Sequence, residues 1–326
     1  MREAVLKVTG ALAACGLLVA TVVGGARAVP PGADGRIAFQ GSDPDSFDIW
    51  TMNPDGSGLT SVTATPDSDE FEPSWSPDGR RIAFTSDRGG ERAGPTAVYV
   101  TNVAGGAARR LNPAGLSQTS PAWSPDGMHI AFSLCTRRPA EGEPCSSAQI
   151  AVARAADGRG LRFVTRPLRG ANAVDSKPAW APNGRWLVFT RTVDSGYNEL
   201  WVIGLDRRGL RRLLRDDSQI DHNPSWSPDG RRIAFVSDVD GDDAIYVIGA
   251  NGKGRQRVVG ETADEDDPDG DDPQTVSGVS NPAFSPSGRR IVYSAGGDLW
   301  TIGVDGTGRT RRTVTGADEA DWARAR

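Results

Sequence analysis

Apolar positions in this chain come in short bursts, not in helical stripes. Ile82-Ala83-Phe84, Ile130-Ala131-Phe132, Leu187-Val188-Phe189, Ile233-Ala234-Phe235 and Ile291-Val292-Tyr293 each follow a cluster of turn residues. Bursts of this length, bounded by Pro and Gly, predict strands rather than helices. The turn cluster recurs almost unchanged. SPDGRRIAFTSD occupies 76–87, SPDGMHIAFSLC 124–135, APNGRWLVFTRT 181–192, SPDGRRIAFVSD 227–238 and SPSGRRIVYSAG 285–296, with a truncated copy at 34–42. The turn glycines Gly35, Gly79, Gly127, Gly184, Gly230 and Gly288 lie 44 to 58 residues apart, a period that suits four-stranded propeller units.

Each repeat reads as four strands. Strand a ends in an aromatic residue: Trp75, Trp123, Trp180, Trp226 and Phe284. Strand b is the IAF burst. Strand c carries Trp50, Tyr99, Trp201, Tyr246 or Trp300, with Ala151 in one repeat, and a Gly-rich turn leads to strand d. In the S-P-D-G turn, Pro presets φ and Gly takes the left-handed conformation, so Asp78, Asp126 and Asp229 are turn-makers before anything else. The first repeat lacks strand a. The C-terminal stretch Asp318 to Trp322 looks like a shortened copy of 69–75. The expectation is an all-β fold: a six-bladed β-propeller of four-stranded blades, closed by the C-terminal strand joining the first blade.

The repeated P-x-W-S-P-D-G-x-x-I-A-F pattern resembles the PD40 (WD40-like) repeats of TolB-type β-propellers. The resemblance covers nearly all of 34–322. It implies a propeller that binds partner proteins, as TolB does in the Tol–Pal envelope system. Similar propellers cap prolyl oligopeptidase-type peptidases. The repeats begin by Asp34, which leaves no room for the N-terminal α/β domain of TolB, and no G-x-S-x-G occurs.

Residues 1–28 have the pattern of a secretory signal peptide: Arg2 and Lys7, an apolar run to Gly25, and an A-x-A site at Ala26-Arg27-Ala28. The propeller would then occupy 29–326, with no transmembrane segment left after cleavage. A retained membrane anchor and lipidation at Cys15 are the alternatives. The expected location is secreted or extracytoplasmic, in the cell envelope. In that compartment Cys135 and Cys145 should pair as a disulfide. No C-x-x-C motif points to zinc.

Composition agrees and narrows the function. Apolar residues make up 37% of the chain, and 40 Gly with 22 Pro favour turns over helical bundles. The formal charge is −5, falling to −7 without residues 1–28, and no basic stripe is evident, so nucleic acid is not an expected partner. A monomer is expected. The long b–c and d–a connections, 136–147, 165–177 and 260–281, emerge on one face, which is the candidate binding face.

Two groups of residues carry candidate chemistry. The acidic loop holds Asp264, Asp266, Asp267, Asp269, Asp271 and Asp272, a solvated loop or a weak Ca²⁺ site without EF-hand spacing. The residues three before each strand-a aromatic are Glu72, Ser120, Lys177, Asn223, Asn281 and Glu319. They should ring the mouth of the central channel. Carboxylates and amides are oxygen ligands for Ca²⁺, while the Lys177 ammonium would compete with it. Among the two histidines, His129 reads as structural and His222 could reach the channel mouth. No catalytic residue and no cofactor is expected. The leading expectation is a non-enzymatic propeller that binds a protein, peptide or envelope ligand. The alternative is a Ca²⁺-dependent hydrolase or lactonase using the axial ring.

Overall fold

The computed structural model describes residues 34–42, 46–88, 95–112, 115–137, 145–166, 173–193, 196–214, 220–260, 278–313 and 316–323. Among the described residues there are 24 strands and no helix. The chain opens with β1 (Ile37–Ser42), β2 (Phe47–Met52) and β3 (Thr60–Ser61). Next come β4 (Glu70–Trp75), β5 (Arg81–Ser86), β6 (Ala97–Asn102) and β7 (Arg109–Arg110). β8 (Gln118–Trp123), β9 (His129–Cys135), β10 (Ala148–Arg154) and β11 (Arg162–Phe163) follow, then β12 (Ala173–Trp180), β13 (Trp186–Val193), β14 (Asn198–Gly204) and β15 (Arg211–Arg212). The last are β16 (Asp221–Trp226), β17 (Arg232–Ser237), β18 (Ala244–Gly249), β19 (Gln256–Val259), β20 (Ser280–Phe284), β21 (Arg290–Ala295), β22 (Asp298–Gly303), β23 (Thr310–Arg311) and β24 (Ala317–Trp322).

The all-β propeller architecture holds, but the expectation of six separate four-stranded blades is corrected. Only four sheets are separate and four-stranded: β24-β1-β2-β3, β4 to β7, β16 to β19 and β20 to β23. The remaining eight strands form one sheet, because β10 pairs in parallel with β12 at Ala148 and Val174. The cause is local. The outer strand β11 is two residues long, as β3, β7, β15 and β23 are, and leaves the Ala148 end of β10 uncovered; what differs at this junction is β12. β12 is eight residues long, where β4, β8, β16 and β24 have six, and its extra N-terminal residues reach that edge.

The core is divided among six apolar clusters set between successive repeats. Middle strands supply most of it: Ile82, Phe84, Ile130, Phe132, Phe189 and Phe235 are fully buried. These strands are covered on both faces, which is why their sequences read as continuous apolar bursts. Each strand-a aromatic packs into the cluster on one side of its sheet, as Trp123 does with Val98, Val100 and Phe132.

The ends of the fold meet. β24 pairs antiparallel with β1, from Ile37 opposite Trp322 to Gly41 opposite Ala317. The Trp322 indole N–H donates to Gly35 O at 2.8 Å, and Ala323 N donates to Arg36 O at 2.8 Å. A Cβ on Gly35 would lie 2.9 Å from that of Ala323, so the approach requires glycine. Cys135 and Cys145 are joined in a disulfide with Cα atoms 6.0 Å apart.

Trp322→Ala should cost about 3–5 kcal/mol, the usual range for emptying a buried aromatic site. It should lower the urea midpoint as much as Trp123→Ala does, although Trp322 lies near a chain terminus. A loss below about 1 kcal/mol would mean that closure by β24 contributes little to stability.

Candidate functional site

The inner strands β4, β8, β12, β16, β20 and β24 share a local device. In each the ladder slips at the third or a neighbouring position, as between Phe71 and Ser74 or His222 and Ser225. At that bulge one residue takes a left-handed backbone: Glu72 at φ +54°, Ser120 +54°, Lys177 +49°, Asn223 +52°, Asn281 +50° and Glu319 +52°. Five of the six are followed by Pro, which lacks an N–H and is tolerated in a strand only at an edge or bulge. Left-handed backbone suits Asn and costs Glu, Ser and Lys of order 1 kcal/mol each.

The structure brings all six residues together around one axial cavity of about 220 Å³. They lie inside the channel rather than at its rim. The cavity continues past them along the following Pro residues to Pro77, Pro125, Pro228 and Pro286 of the S-P turns.

Lys177 is the centre of the polar cluster. Its Nζ lies 2.8 Å from Glu72 Oε1 and 2.8 Å from Glu319 Oε1. Glu72 Oε2 accepts from Thr85 Oγ1 at 2.7 Å and from Ser120 N at 2.5 Å, and its Oε1 accepts from Ser120 Oγ at 2.7 Å. Glu319 Oε2 accepts from Glu72 N at 2.7 Å. Across the channel Asn223 Nδ2 donates to Asn281 Oδ1 at 2.7 Å, and Asn281 Nδ2 donates to Asp318 Oδ1 at 3.0 Å. One turn of residues further along, Asp321 Oδ2 accepts from Trp75 N at 2.7 Å, and Ser74 and Ser225 accept from Trp123 N and Phe284 N. In this way β24, β4 and β16 bond the free backbone edges of β4, β8 and β20.

Electrostatics follows from this contact set. Burial alone would raise the Glu72 carboxyl, but the Lys177 ammonium and the hydrogen bonds from Lys177, Thr85 and Ser120 hold it at about 2. Burial works against the charged Lys177 as well, and the two carboxylates outweigh it, so the ammonium is held well above its ordinary range. Glu319 is raised by burial and by the charge of Glu72, with Lys177 opposing. His222 is lowered by burial and stays neutral near pH 7. Two residues before Lys177, Asp175 makes a fully buried bidentate pair with Arg191, at 2.6 and 2.8 Å. Burial pushes the Asp175 carboxyl up while Arg191 opposes.

Sequence reasoning placed the ring residues and missed what Lys177 does. Its ammonium occupies the focus of the two carboxylates, so the donor set already holds a cation supplied by the chain. A Ca²⁺ ion there would have to displace it. Among the described residues no group of three or more His, Cys, Asp or Glu side chains is arranged to hold a metal. The acidic positions Asp264, Asp266, Asp267, Asp269, Asp271 and Asp272 lie outside the described residues, as do 138–144 and 167–172 of the other long connections.

The TolB beta propeller domain family, PD40, matches residues 19–195 and 146–272, most of the chain. The chain belongs to the TolB β-propeller family. Among solved structures this PD40 chain is similar to TolB from Acinetobacter baumannii, with TM-score 0.70 and 22% identity, covering 89% of this chain and 67% of that one. It is also similar to putative TolB from Agrobacterium tumefaciens, with TM-score 0.64 and 18% identity, covering 88% and 92%. At such identities the likeness shows the shared fold. A 142-residue stretch, 36% of the chain, is 30% identical to the Bacillus subtilis protein named uncharacterized peptidase YuxL. That stretch spans only 21% of YuxL.

Glu72→Gln tests the ring by pH. The Glu72 carboxyl is depressed when folded, so its contribution is present above the ordinary carboxyl value near 4.5 and is lost as pH falls toward about 2. Glu319, raised when folded by burial and by the Glu72 charge, contributes in the opposite sense, and only the burial part of that contribution is shared by both proteins. The stability advantage of the parent over Glu72→Gln should therefore shrink by about 2–3 kcal/mol between pH 6 and about pH 2, read by urea unfolding. A constant difference across that interval would refute the pairing. Lys177→Met should leave two facing carboxylates uncompensated and cost about 3–5 kcal/mol at pH 7. Added Ca²⁺ should raise the Tm of Lys177→Met far more than that of the parent.

Proposed function

We propose that the protein is an extracytoplasmic, non-enzymatic propeller that binds a protein or peptide ligand at the axial cavity, whose lining runs from the residue ring to the a–b turns. The observation that carries this reading is the cavity itself. It is lined in register by six inner strands, and its polar floor is built from residues held in left-handed backbone. Strain of that kind persists where surrounding structure enforces it, and it is a pointer to function. The floor offers fixed amides at Asn223 and Asn281, carboxylates at Glu72 and Glu319, and the walls are proline-rich. That mixture suits a peptide segment or a protruding side chain of a protein partner.

The same contacts favour binding over catalysis. The Ser120 hydroxyl donates to Glu72, whose carboxyl is too weak a base to activate it. Lys177 is held protonated between two carboxylates and has no lone pair to offer. Extracytoplasmic location is supported by the signal-peptide pattern in residues 1–28, and the similarity to TolB is consistent with a protein partner.

Selection of peptides from a displayed library against the full chain should yield binders that lose at least tenfold affinity to Asn281→Trp, which fills the cavity. The variant loses both Asn281 amide bonds and puts Trp at a left-handed position, so its Tm should fall, and affinities are compared below that Tm. Binders indifferent to Asn281→Trp would move the site elsewhere. Steady turnover on ester, lactone or peptide substrates, abolished by a ring substitution, would overturn the non-enzymatic reading.

A further inference from the structure

The a–b and c–d turns emerge together at one end of the propeller, because the four strands within each repeat pair antiparallel. All of these turns are described. Seventeen described arginines and lysines are exposed, and fifteen of them lie in these turns or in the outermost strands they lead into. The a–b turns supply Arg80, Arg185, Arg231 and Arg289. The c–d side supplies pairs such as Arg109-Arg110 and Arg207-Arg208. The exposed acids of this face are six turn aspartates, such as Asp126 and Asp206, each of which accepts the backbone N–H two residues on. They are part of the turns, and Asp157 also pairs with Arg154 at 2.6 Å. The overall charge of −5 therefore conceals one strongly basic face.

A second, independent observation concerns apolar groups. Eight large hydrophobic side chains are exposed among the described residues, and six of them lie on this same face: Leu59, Met128, Leu161, Phe163, Trp186 and Leu210. Met128 is 65% exposed at the tip of an a–b turn, and Trp186 lies over Gly209 in the neighbouring c–d turn. Arginines interleaved with exposed aliphatic and aromatic side chains match the interface of an anionic bilayer, where the apolar groups enter the headgroup region and guanidinium groups meet phosphates.

We propose that the a–b/c–d face docks the propeller onto an anionic phospholipid surface. This goes beyond the axial cavity and does not depend on it. Docked this way, the propeller turns its b–c and d–a loops away from the lipid and the S-P turn end of the axial cavity toward it.

The test is flotation of the full chain with phosphatidylglycerol-rich vesicles and with pure phosphatidylcholine vesicles. The apolar run at 8–25 is common to every variant, so differences between variants report the face. Binding to the anionic vesicles should exceed binding to the neutral ones by at least about tenfold at low salt, and the preference should collapse at about 0.5 M salt. Arg185→Glu with Arg208→Glu should reduce anionic-vesicle binding at least about tenfold. Arg137→Glu with Arg166→Glu makes the same change in net charge on the opposite face and should leave binding within about twofold, with Tm confirming that both variants are folded. Met128→Ser with Leu161→Ser should weaken vesicle binding severalfold and leave its salt dependence in place. Equal loss in the two arginine pairs, no preference for anionic vesicles, or a Met128/Leu161 variant that binds unchanged would each overturn the proposal. So would capture by a soluble polyphosphate with vesicles left unbound.

Discussion

The pairing of β24 with β1 is the contact on which both the fold and the channel depend. A propeller built from sequential repeats has two free edges until its ends meet, and here the last strand covers the inner edge of the first sheet. The closing strand also brings Glu319 to Lys177, Asp321 to the backbone of Trp75, and Asp318 to Asn281. The axial site is therefore assembled by closure. A chain that folded its other strands and left β24 loose would lose a carboxylate partner of Lys177 and one acceptor for the free N–H of Glu72. Stability and site geometry are coupled through a strand of six residues.

Why the inner strands accept left-handed bulges follows from the same constraint. An innermost strand has a neighbour on one side only, so its other backbone edge faces the channel. Bending at the bulge turns one side chain per strand toward the axis, and two of them, Glu319 and Glu72, bond the backbone edge of the next strand. The strain is offset where the neighbour can answer, as Glu319 does for Glu72 and Glu72 does for Ser120. With two carboxylates in a partly desolvated space, some cation is required nearby. Lys177 meets that need from within the chain, and Asn223 with Asn281 complete the circle without charge.

Much of this was legible in the residues, for local reasons. The S-P-D-G turns announce themselves because Ser76, Asp78 and Gly79 satisfy one another within a few residues. The ring positions could be counted back from the strand-a aromatics because every inner strand repeats the same bulge. The division into sheets was not legible. It turns on the extra residues at the start of β12, a length that the turn motifs do not encode. Lys177 was readable as a misfit in a metal ring but not as the cation of that ring, since its partners lie 105 and 142 residues away in sequence.

Charge segregation was written in the repeat and hidden by the total. The turn motif places an aspartate before the glycine and arginine after it at 34–36, 76–81 and 227–232, while Met128-His129 replace the arginines in one copy and Asn183 and Ser287 replace the aspartate in two. Along the whole chain the two signs nearly cancel. Geometry breaks the cancellation. The aspartate turns inward to bind the backbone N–H of its own turn, while the arginines project from strand ends or cover neighbouring aromatics, as Arg81 covers Trp123 at 4.6 Å. Six turn aspartates stay exposed on this face against fifteen exposed basic residues, so guanidinium groups dominate what the solvent meets. A net charge near zero therefore says little about which surface a repeat protein offers. The decisive quantity is the sign of the residue left over once the turn has satisfied itself.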